Sequence, residues 1–229
     1  MSELDQLKKE FNLKIKNENL IKLAFIHRSY LNEAKIKKES NERLEFLGDS
    51  ILSYLVSKFL YLNYPHLPEG ELTNLRSSVV KTQTLADIAK SLKLGMYLKL
   101  SRGEEEGGGR NNPSILADTF EALLGAILLD SGLSSVEKIL NNFLYILIPQ
   151  ILNDKTYKDS KSSFQEMVQE ETKLSPIYKV INETGPDHAK EFTVAVIVKN
   201  KVWGQGSGKT KQEAEQKAAA SAIEKWQQK

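Results

Sequence analysis

The stretch NERLEFLGDSIL, residues 41–52, combines a helical apolar stripe with three carboxylates, Glu42, Glu45 and Asp49. On an α-helix, which turns about 100° per residue, these acids are spaced i, i+3 and i+7 and share one narrow face. The opposite face carries the apolar side chains of a predicted core contact, Leu44, Leu47, Ile51, Leu52 and Leu55. By itself the pattern fits a solvated acidic face on an amphipathic helix equally well.

A second apolar stretch, SILADTFEALLGAILLD (114–130), also carries acids, because Asp118 and Glu121 are spaced i, i+3. This segment is apolar nearly all round, which predicts a helix buried on most sides. A buried carboxylate without a partner is costly or takes up a proton. A compensating cation is therefore expected, and a purely structural ion pair with Arg43 or Arg76 is one possible source.

If the two predicted helices pack together, Glu45, Asp49, Asp118 and Glu121 form a site whose ligands are all oxygens. Such hard ligands suit Mg²⁺ or Mn²⁺. Carboxylate clusters of this kind can hold two ions about 4 Å apart and promote in-line phosphoryl displacement. We therefore expect a metal-dependent enzyme that acts on phosphate esters.

Composition excludes several other classes of site. The 229 residues are 40% hydrophobic and 27% charged, as in ordinary soluble globular proteins. The chain has no cysteine, which removes disulfides, thiol nucleophiles, Fe–S clusters and cysteine zinc sites. The N-terminus does not resemble a signal peptide, and the longest apolar runs fall well short of the ~20 residues that span a bilayer. We expect a cytoplasmic protein that does not bind membranes.

The periodicity of apolar residues divides the chain in two. Helical spacing prevails over residues 1–152, a polar stretch at 153–160 predicts a linker, and residues 161–229 form a second predicted domain. In that domain a short amphipathic helix precedes three strand-like runs and an Ala-rich helix. Phe192, Val194, Val196 and Val198 alternate with period two, as in a half-buried strand. The expected order is α-β-β-β-α.

The segments NERLEFLGDSIL and LADTFEALLGAILLD resemble the two signature segments of bacterial ribonuclease III, and HRSYLNE, LTNLRSSVV and GEEEGGGR resemble further segments of that family in the expected order. The resemblance implies a mainly α catalytic domain with the ribonuclease III endonuclease fold, which forms a homodimer, followed by a small double-stranded-RNA-binding domain. It implies Mg²⁺-dependent hydrolysis of both strands of duplex RNA to 5′-phosphate and 3′-hydroxyl ends, in processing of ribosomal, messenger and transfer RNA. Mn²⁺ is expected to substitute.

By the same resemblance, Glu45, Asp49, Asp118 and Glu121 match the metal ligands, with Asp49 and Glu121 in the central catalytic role. The remaining matches are supporting acids, Glu42 and Glu69, and a dimer contact, Phe46. From the residues alone, Glu69 could instead serve the dipole of a helix that begins there. Phe46, close to the acidic face, is either the edge of a core or a contact with another chain.

Duplex RNA is recognised through shape, 2′-hydroxyls and phosphates, and the C-terminal domain resembles domains that do this. The matching positions are Gln165, Glu166, His188, Lys209 and Lys211. The family tends to carry adjacent basic residues at the last helix start, whereas Gln212 and Glu213 follow Lys211 here. Residues 157–229 contain 12 Lys, 10 acids and no Arg, which predicts modest, salt-dependent affinity. An ordinary α/β domain with surface lysines is the alternative.

Three other functions compete with this interpretation. GQGSGKT resembles a nucleotide phosphate loop, but Trp203 stands where that pattern requires glycine and no parallel α/β alternation surrounds it. We therefore expect no nucleotide cofactor. A metal-free ribonuclease would need two of the three histidines, His27, His66 and His188, as acid and base. An inactive RNA binder of the same family should show damaged carboxylates, and all four are present.

Overall fold

The computed structural model describes residues 15–34, 39–153, 160–186 and 190–228. The chain forms two compact units, Met1–Tyr157 and Lys158–Lys229. Each is described by itself below. The domain limits at 152 and 161 stay a prediction.

The first unit is helical. Its α-helices are α1 (Glu18–Leu23), α2 (Arg28–Ala34), α3 (Glu42–Asn63), α4 (Glu69–Val79), α5 (Thr82–Ser91), α6 (Arg102–Glu106), α7 (Pro113–Ser131), α8 (Leu133–Phe143) and α9 (Ile148–Asn153). Short 3₁₀ turns lie at Leu94–Tyr97, Gly109–Asn111 and Tyr145–Leu147. The mainly helical first unit expected from the apolar periodicity is confirmed.

Helix α7 is the central element of this unit. Its start is set by the Asn112 side chain, which caps the N–H of Ser114, and by Pro113 at the first helical position. It ends where Gly132 adopts a φ of 81°. Phe120, Leu123 and Leu124 are fully buried, so the helix packs against neighbours on most sides, as its composition predicts.

Helix α3 approaches α7 unusually closely because glycines lie at the crossing. A Cβ on Gly48 would lie 1.8 Å from the carbonyl oxygen of Glu121, and a Cβ on Gly125 would lie 2.2 Å from that of Leu44. The buried face of α3 includes Leu44, Leu52 and Leu55. The acidic face of α3 is thereby brought against the acids of α7.

Asp130, which is only 8% exposed, links the C-terminal end of α7 to the start of α1 by hydrogen bonds. Its carboxylate accepts hydrogen bonds from the backbone N–H groups of Lys16 and Asn17 and from the Ser131 hydroxyl. Burial raises the pKa of Asp130, but these hydrogen bonds lower it by more. The charged carboxylate therefore stabilises this junction.

The second unit comprises α10 (Ser160–Thr172), β1 (Ile177–Thr184), β2 (Glu191–Val198), β3 (Lys201–Gly208) and α11 (Lys211–Gln227). The strands form an antiparallel sheet in the order β1-β2-β3. Val194, Val196 and Val198 face a core that also holds Phe164 and Trp226. The predicted α-β-β-β-α order is confirmed.

The resemblance to a nucleotide phosphate loop finds no matching architecture in the described residues. GQGSG belongs to β3 of the antiparallel sheet, where Gly204 and Gly206 let α11 approach closely. AILLD (126–130) lies within α7. Among the helices described, none has the length and apolar character needed to span a bilayer.

Candidate metal centre and nucleic-acid interface

Three carboxylates meet where α3 crosses α7. Glu45, Asp118 and Glu121 each offer an oxygen, and these oxygens lie within 4.8 Å of one another. All three residues are partly buried. Gly48, which is three residues after Glu45 on α3, contacts the backbone of Glu121 directly, so the close helix crossing is what brings these acids together.

We call Glu45, Asp118 and Glu121 the carboxylate cluster. The other two acids on this face of α3, Glu42 and Asp49, lie at its margin. Asp49 is exposed one turn beyond Glu45, and its negative charge acts on both Glu45 and Glu121. Glu42 is exposed one turn before Glu45 and accepts a hydrogen bond from the Ser40 hydroxyl. Asp49 thus adjoins the cluster without belonging to its tight group of oxygens.

The electrostatics of the carboxylate cluster favour neutralisation by a cation. Burial raises the pKa of Glu121 to about 8, with further contributions from the charges of Asp49, Asp118 and Glu45. Burial also raises the pKa values of Glu45 and Asp118. The negative charges of Asp118 and Glu42 raise the pKa of Glu45 further. These carboxylates therefore repel one another in a partly desolvated site.

The arginines considered as structural partners lie elsewhere. Arg43 forms an ion pair with Glu39, with 3.6 Å between nitrogen and oxygen, and Arg76 donates a hydrogen bond of 3.0 Å to Ser57. Within the described part of the chain, no Lys or Arg forms an ion pair with a member of the carboxylate cluster. An oxygen-only, mutually repelling donor set fits a divalent cation such as Mg²⁺ or Mn²⁺.

Asn41, which the sequence analysis did not identify, places the turn at residues 24–29 against this site. Asn41, 3% exposed, donates from its side chain to the carbonyl of Ala24 and from its backbone to that of Ile26. It therefore ties the first turn of α3 to the turn at residues 24–29. The only available sequence signal was a polar residue directly before the acidic face, which resembles an ordinary helix cap.

Phe46 is 77% exposed, which excludes the edge of this unit's own core. It borders an open groove of about 570 Å³ whose other apolar walls include Leu20, Leu23, Leu47 and Leu129. Leu129 is itself 60% exposed. An exposed aromatic beside an apolar groove is the surface expected of a contact between chains, although its assignment to a dimer stays a prediction.

Glu69 is the first residue of α4 and is exposed. It accepts a hydrogen bond of 3.1 Å from the Thr73 hydroxyl, one turn along the same helix. It lines a second groove with Tyr54 and Arg76 and is not a member of the carboxylate cluster. The geometry within one chain is that of an acid at a helix start, and its supporting role stays a prediction.

The two described histidines have different surroundings. His27 Nδ1 lies 2.8 Å from the Ser29 hydroxyl, and its charge acts on Asp118. His66 is exposed in the turn between α3 and α4, edge-on to the Tyr64 ring. His188, the third histidine, lies outside the described residues. Nothing in these contacts pairs two imidazoles for acid–base catalysis.

The predicted RNA contacts of the second unit are exposed where the structure describes them. Gln165 and Glu166 lie on the solvent side of α10. Lys209 and Lys211 flank Thr210, which caps α11 by accepting from the N–H of Glu213. Lys211 Nζ lies 3.8 Å from Glu183 and over the ring of Phe192. Glu213 pairs with Lys217 at 2.7 Å, so this helix start is only weakly basic.

Comparison with known proteins agrees with this architecture. The family model described as ribonuclease-III-like matches residues 17–148, and the double-stranded RNA binding motif matches residues 160–225. "Ribonuclease 3" of Streptococcus sanguinis is 44% identical over 97% of this chain and 97% of its own, and that of Streptococcus thermophilus is 44% identical over 98% of each.

A solved structure leads to the same family. The nuclease domain of ribonuclease III from Campylobacter jejuni, in a structure concerned with a region involved in dimer formation, has a TM-score of 0.59 and 36% identity. It covers 64% of this chain, and 99% of its own length is matched. The chain therefore belongs to the ribonuclease III family of endoribonucleases and carries a double-stranded-RNA-binding motif in its C-terminal unit.

Proposed function

We propose that this protein is a divalent-metal-dependent endoribonuclease that hydrolyses both strands of double-stranded RNA. The observation that carries the proposal is the carboxylate cluster, which is partly buried, lacks a basic partner among the described residues and belongs to a chain that also carries an RNA-binding motif. Attack of water on the phosphodiester with departure of the 3′ oxygen would leave products with 5′-phosphate and 3′-hydroxyl ends.

Glu45, Asp118 and Glu121 would hold the metal, and Asp49, at the exposed margin, would complete the ligand set. Mg²⁺ is the proposed ion, with Mn²⁺ as a substitute. When bound, the ion supplies activation of water and stabilisation of the developing charge on the leaving oxygen. The protein's own part is to hold the oxygens in place through the close crossing at Gly48 and Gly125.

The RNA-binding unit would position the duplex through exposed residues that include Gln165, Glu166, Lys209 and Lys211. His188 belongs to the same proposal. A homodimer formed around Phe46 would supply two cleavage sites related by a two-fold axis, one for each strand. Glu42 and Glu69 would be supporting acids near the cleavage point. A cytoplasmic location and processing of ribosomal, messenger and transfer RNA precursors complete the proposal.

The test compares the wild type with Glu121→Gln on a long RNA duplex, with Mg²⁺ and with chelator. We expect the wild type to cut only with Mg²⁺ and the variant to bind the duplex but lose at least about a hundredfold in rate, as for removal of a group that stabilises a transition state. The matched control is Glu106→Gln, at an exposed carboxylate on α6 that pairs with Arg102.

Two results would overturn the proposal. One is cleavage by the wild type in chelator, and the other is cleavage by Glu121→Gln at the wild-type rate. Products that end in cyclic 2′,3′-phosphate would instead favour a metal-free mechanism with histidine as acid and base.

A further inference from the structure

Arg28 lies beside the carboxylate cluster without being used in the proposal above. It is the first residue of α2, and its Nη1 lies 3.7 Å from Oε1 of Glu42. Glu42 precedes Glu45 by one helical turn on the same face of α3. The guanidinium therefore lies at the edge of the acidic site.

The side chain of Arg28 remains available to a ligand. It is 73% exposed, and Glu42 is 55% exposed. At 3.7 Å the two groups are an ion pair without a hydrogen bond, and exposed pairs of this kind contribute only ~0–1 kcal/mol. Pairing with Glu42 alone thus gives little reason for an arginine here.

The backbone around Arg28 is held by hydrogen bonds to two other parts of the unit, the segment at 99–101 and the start of α3. The N–H of His27 donates to the carbonyl of Lys99, and the N–H of Ser101 donates to the Ser29 hydroxyl. Asn41 fixes the carbonyls of Ala24 and Ile26, as described above. Arg28 is therefore presented from a rigid turn, which limits the entropy lost when it binds a ligand.

The positive charge of Arg28 acts on two members of the carboxylate cluster, Glu45 and Asp118. Burial is the main cause that raises the pKa values of Glu45 and Asp118, and the positive charge of Arg28 opposes the rise at both. Arg28 thus lies close enough to influence two members of the cluster without neutralising either by an ion pair. A guanidinium in this position suits a phosphate that approaches the cluster, because its planar fork of donors matches phosphate oxygens.

We propose that Arg28 binds a backbone phosphate of duplex RNA beside the carboxylate cluster and positions the strand for cleavage. The inference rests on the proposed function. The basic RNA contacts predicted from the sequence all belong to the second unit, and Arg28 would add a phosphate contact in the first.

The experiment measures equilibrium binding of a short blunt-ended RNA duplex in Mg²⁺ over a range of KCl concentrations. All proteins carry Glu121→Gln so that the duplex stays intact. Adding Arg28→Gln should weaken binding about tenfold, as for loss of a hydrogen-bonded charged contact. It should also reduce the slope of log K against log salt by roughly one per bound chain, since one phosphate is no longer neutralised.

Two further variants make the result specific. Arg28→Lys keeps the charge but not the fork of donors, so it should retain the salt slope while losing part of the affinity. Lys22→Gln removes one exposed charge that pairs with Glu18 on α1 and should change neither affinity nor slope by a comparable amount. With Glu121 intact, Arg28→Gln should lower kcat/KM for duplex cleavage.

An unchanged affinity and slope in Arg28→Gln would overturn the inference, and so would an equal effect of Lys22→Gln. A lower melting temperature with an unchanged slope would likewise overturn it, because it would show a structural role only. Failure of the proposed function is distinguishable, since in that case the protein with Glu121 and Arg28 intact would not cut duplex RNA in Mg²⁺.

Discussion

Gly48→Ala should disable the metal centre without touching any carboxylate. A Cβ at position 48 would lie 1.8 Å from the carbonyl oxygen of Glu121 and 2.5 Å from its carbonyl carbon, whereas real Cβ atoms essentially never come within 3.0 Å of such atoms. Because both obstacles are backbone atoms, no side-chain rotation can relieve the clash. Helices α3 and α7 would have to separate by about 1 Å or more.

The cost of that separation can be bounded. Overpacking a close helix contact costs about 1–3 kcal/mol, and this clash belongs at the upper end, so we expect the free energy of unfolding to fall by about 3 kcal/mol. Functional constellations need to be held to within about 0.5 Å. A shift of the expected size should therefore weaken Mn²⁺ binding by about 10–100-fold, the range seen when ligand positioning is lost.

The assay combines urea unfolding in chelator, Mn²⁺ titration by calorimetry and cleavage of duplex RNA. Gly103→Ala is the matched control, because no atom lies within 4 Å of the Cβ it would add on α6. That change should leave metal binding intact and alter stability by no more than about 1 kcal/mol. If Gly48→Ala bound Mn²⁺ and cut RNA like the wild type, the close crossing would not be what assembles the site.

Three other predictions follow from separate features. Asp130→Asn should destabilise the protein by about 1–3 kcal/mol at neutral pH. Burial raises the pKa of Asp130, but hydrogen bonds from the Ser131 hydroxyl and two backbone N–H groups lower it by more. The stabilisation by the charged carboxylate is therefore present above the unfolded pKa of about 3.9 and is lost as pH falls through the lower folded pKa. Urea unfolding at several pH values should show the difference in free energy of unfolding between wild type and variant shrinking below about pH 4. A difference that stays constant with pH would contradict this. Mg²⁺ should raise the melting temperature of the wild type measured by calorimetry, whereas Glu121→Gln should show a much smaller rise, because it removes a ligand of the ion; equal rises would contradict the assignment. Phe46→Ala should raise the dimer dissociation constant at least about tenfold in analytical ultracentrifugation and leave the melting temperature of the monomer unchanged. Met96 is similarly exposed, and Met96→Ala should leave the dimer dissociation constant unchanged.

Elements whose pattern is local were predictable from the sequence. The apolar stripe of α3, the all-round apolarity of α7 and the alternation of Val194, Val196 and Val198 each reflect a period that the helix or strand itself imposes. The acids of α3 share a face for the same reason. The two-unit architecture and the identity of the candidate metal ligands therefore required no tertiary contact.

Other features depend on residues distant in sequence. Nothing local shows that Asn41 would fasten the turn at Ala24 and Ile26, because its partners are set by how that turn folds back on α3. The sequence pattern also grouped Asp49 with Glu45, Asp118 and Glu121, whereas the structure leaves Asp49 at the exposed margin. Helical spacing specifies a face of the helix, but not which side chain on that face points into a crossing.

The sequence by itself determined the helices, the sheet and which side chains are acidic, because turn angle and apolar period act over a few residues. Only the tertiary structure decided that Glu45 meets Asp118 and Glu121, and that Arg28 lies beside them. The physical reason is steric: two helices draw carboxylates together only where their backbones nearly touch, and here glycines at 48 and 125 permit that approach.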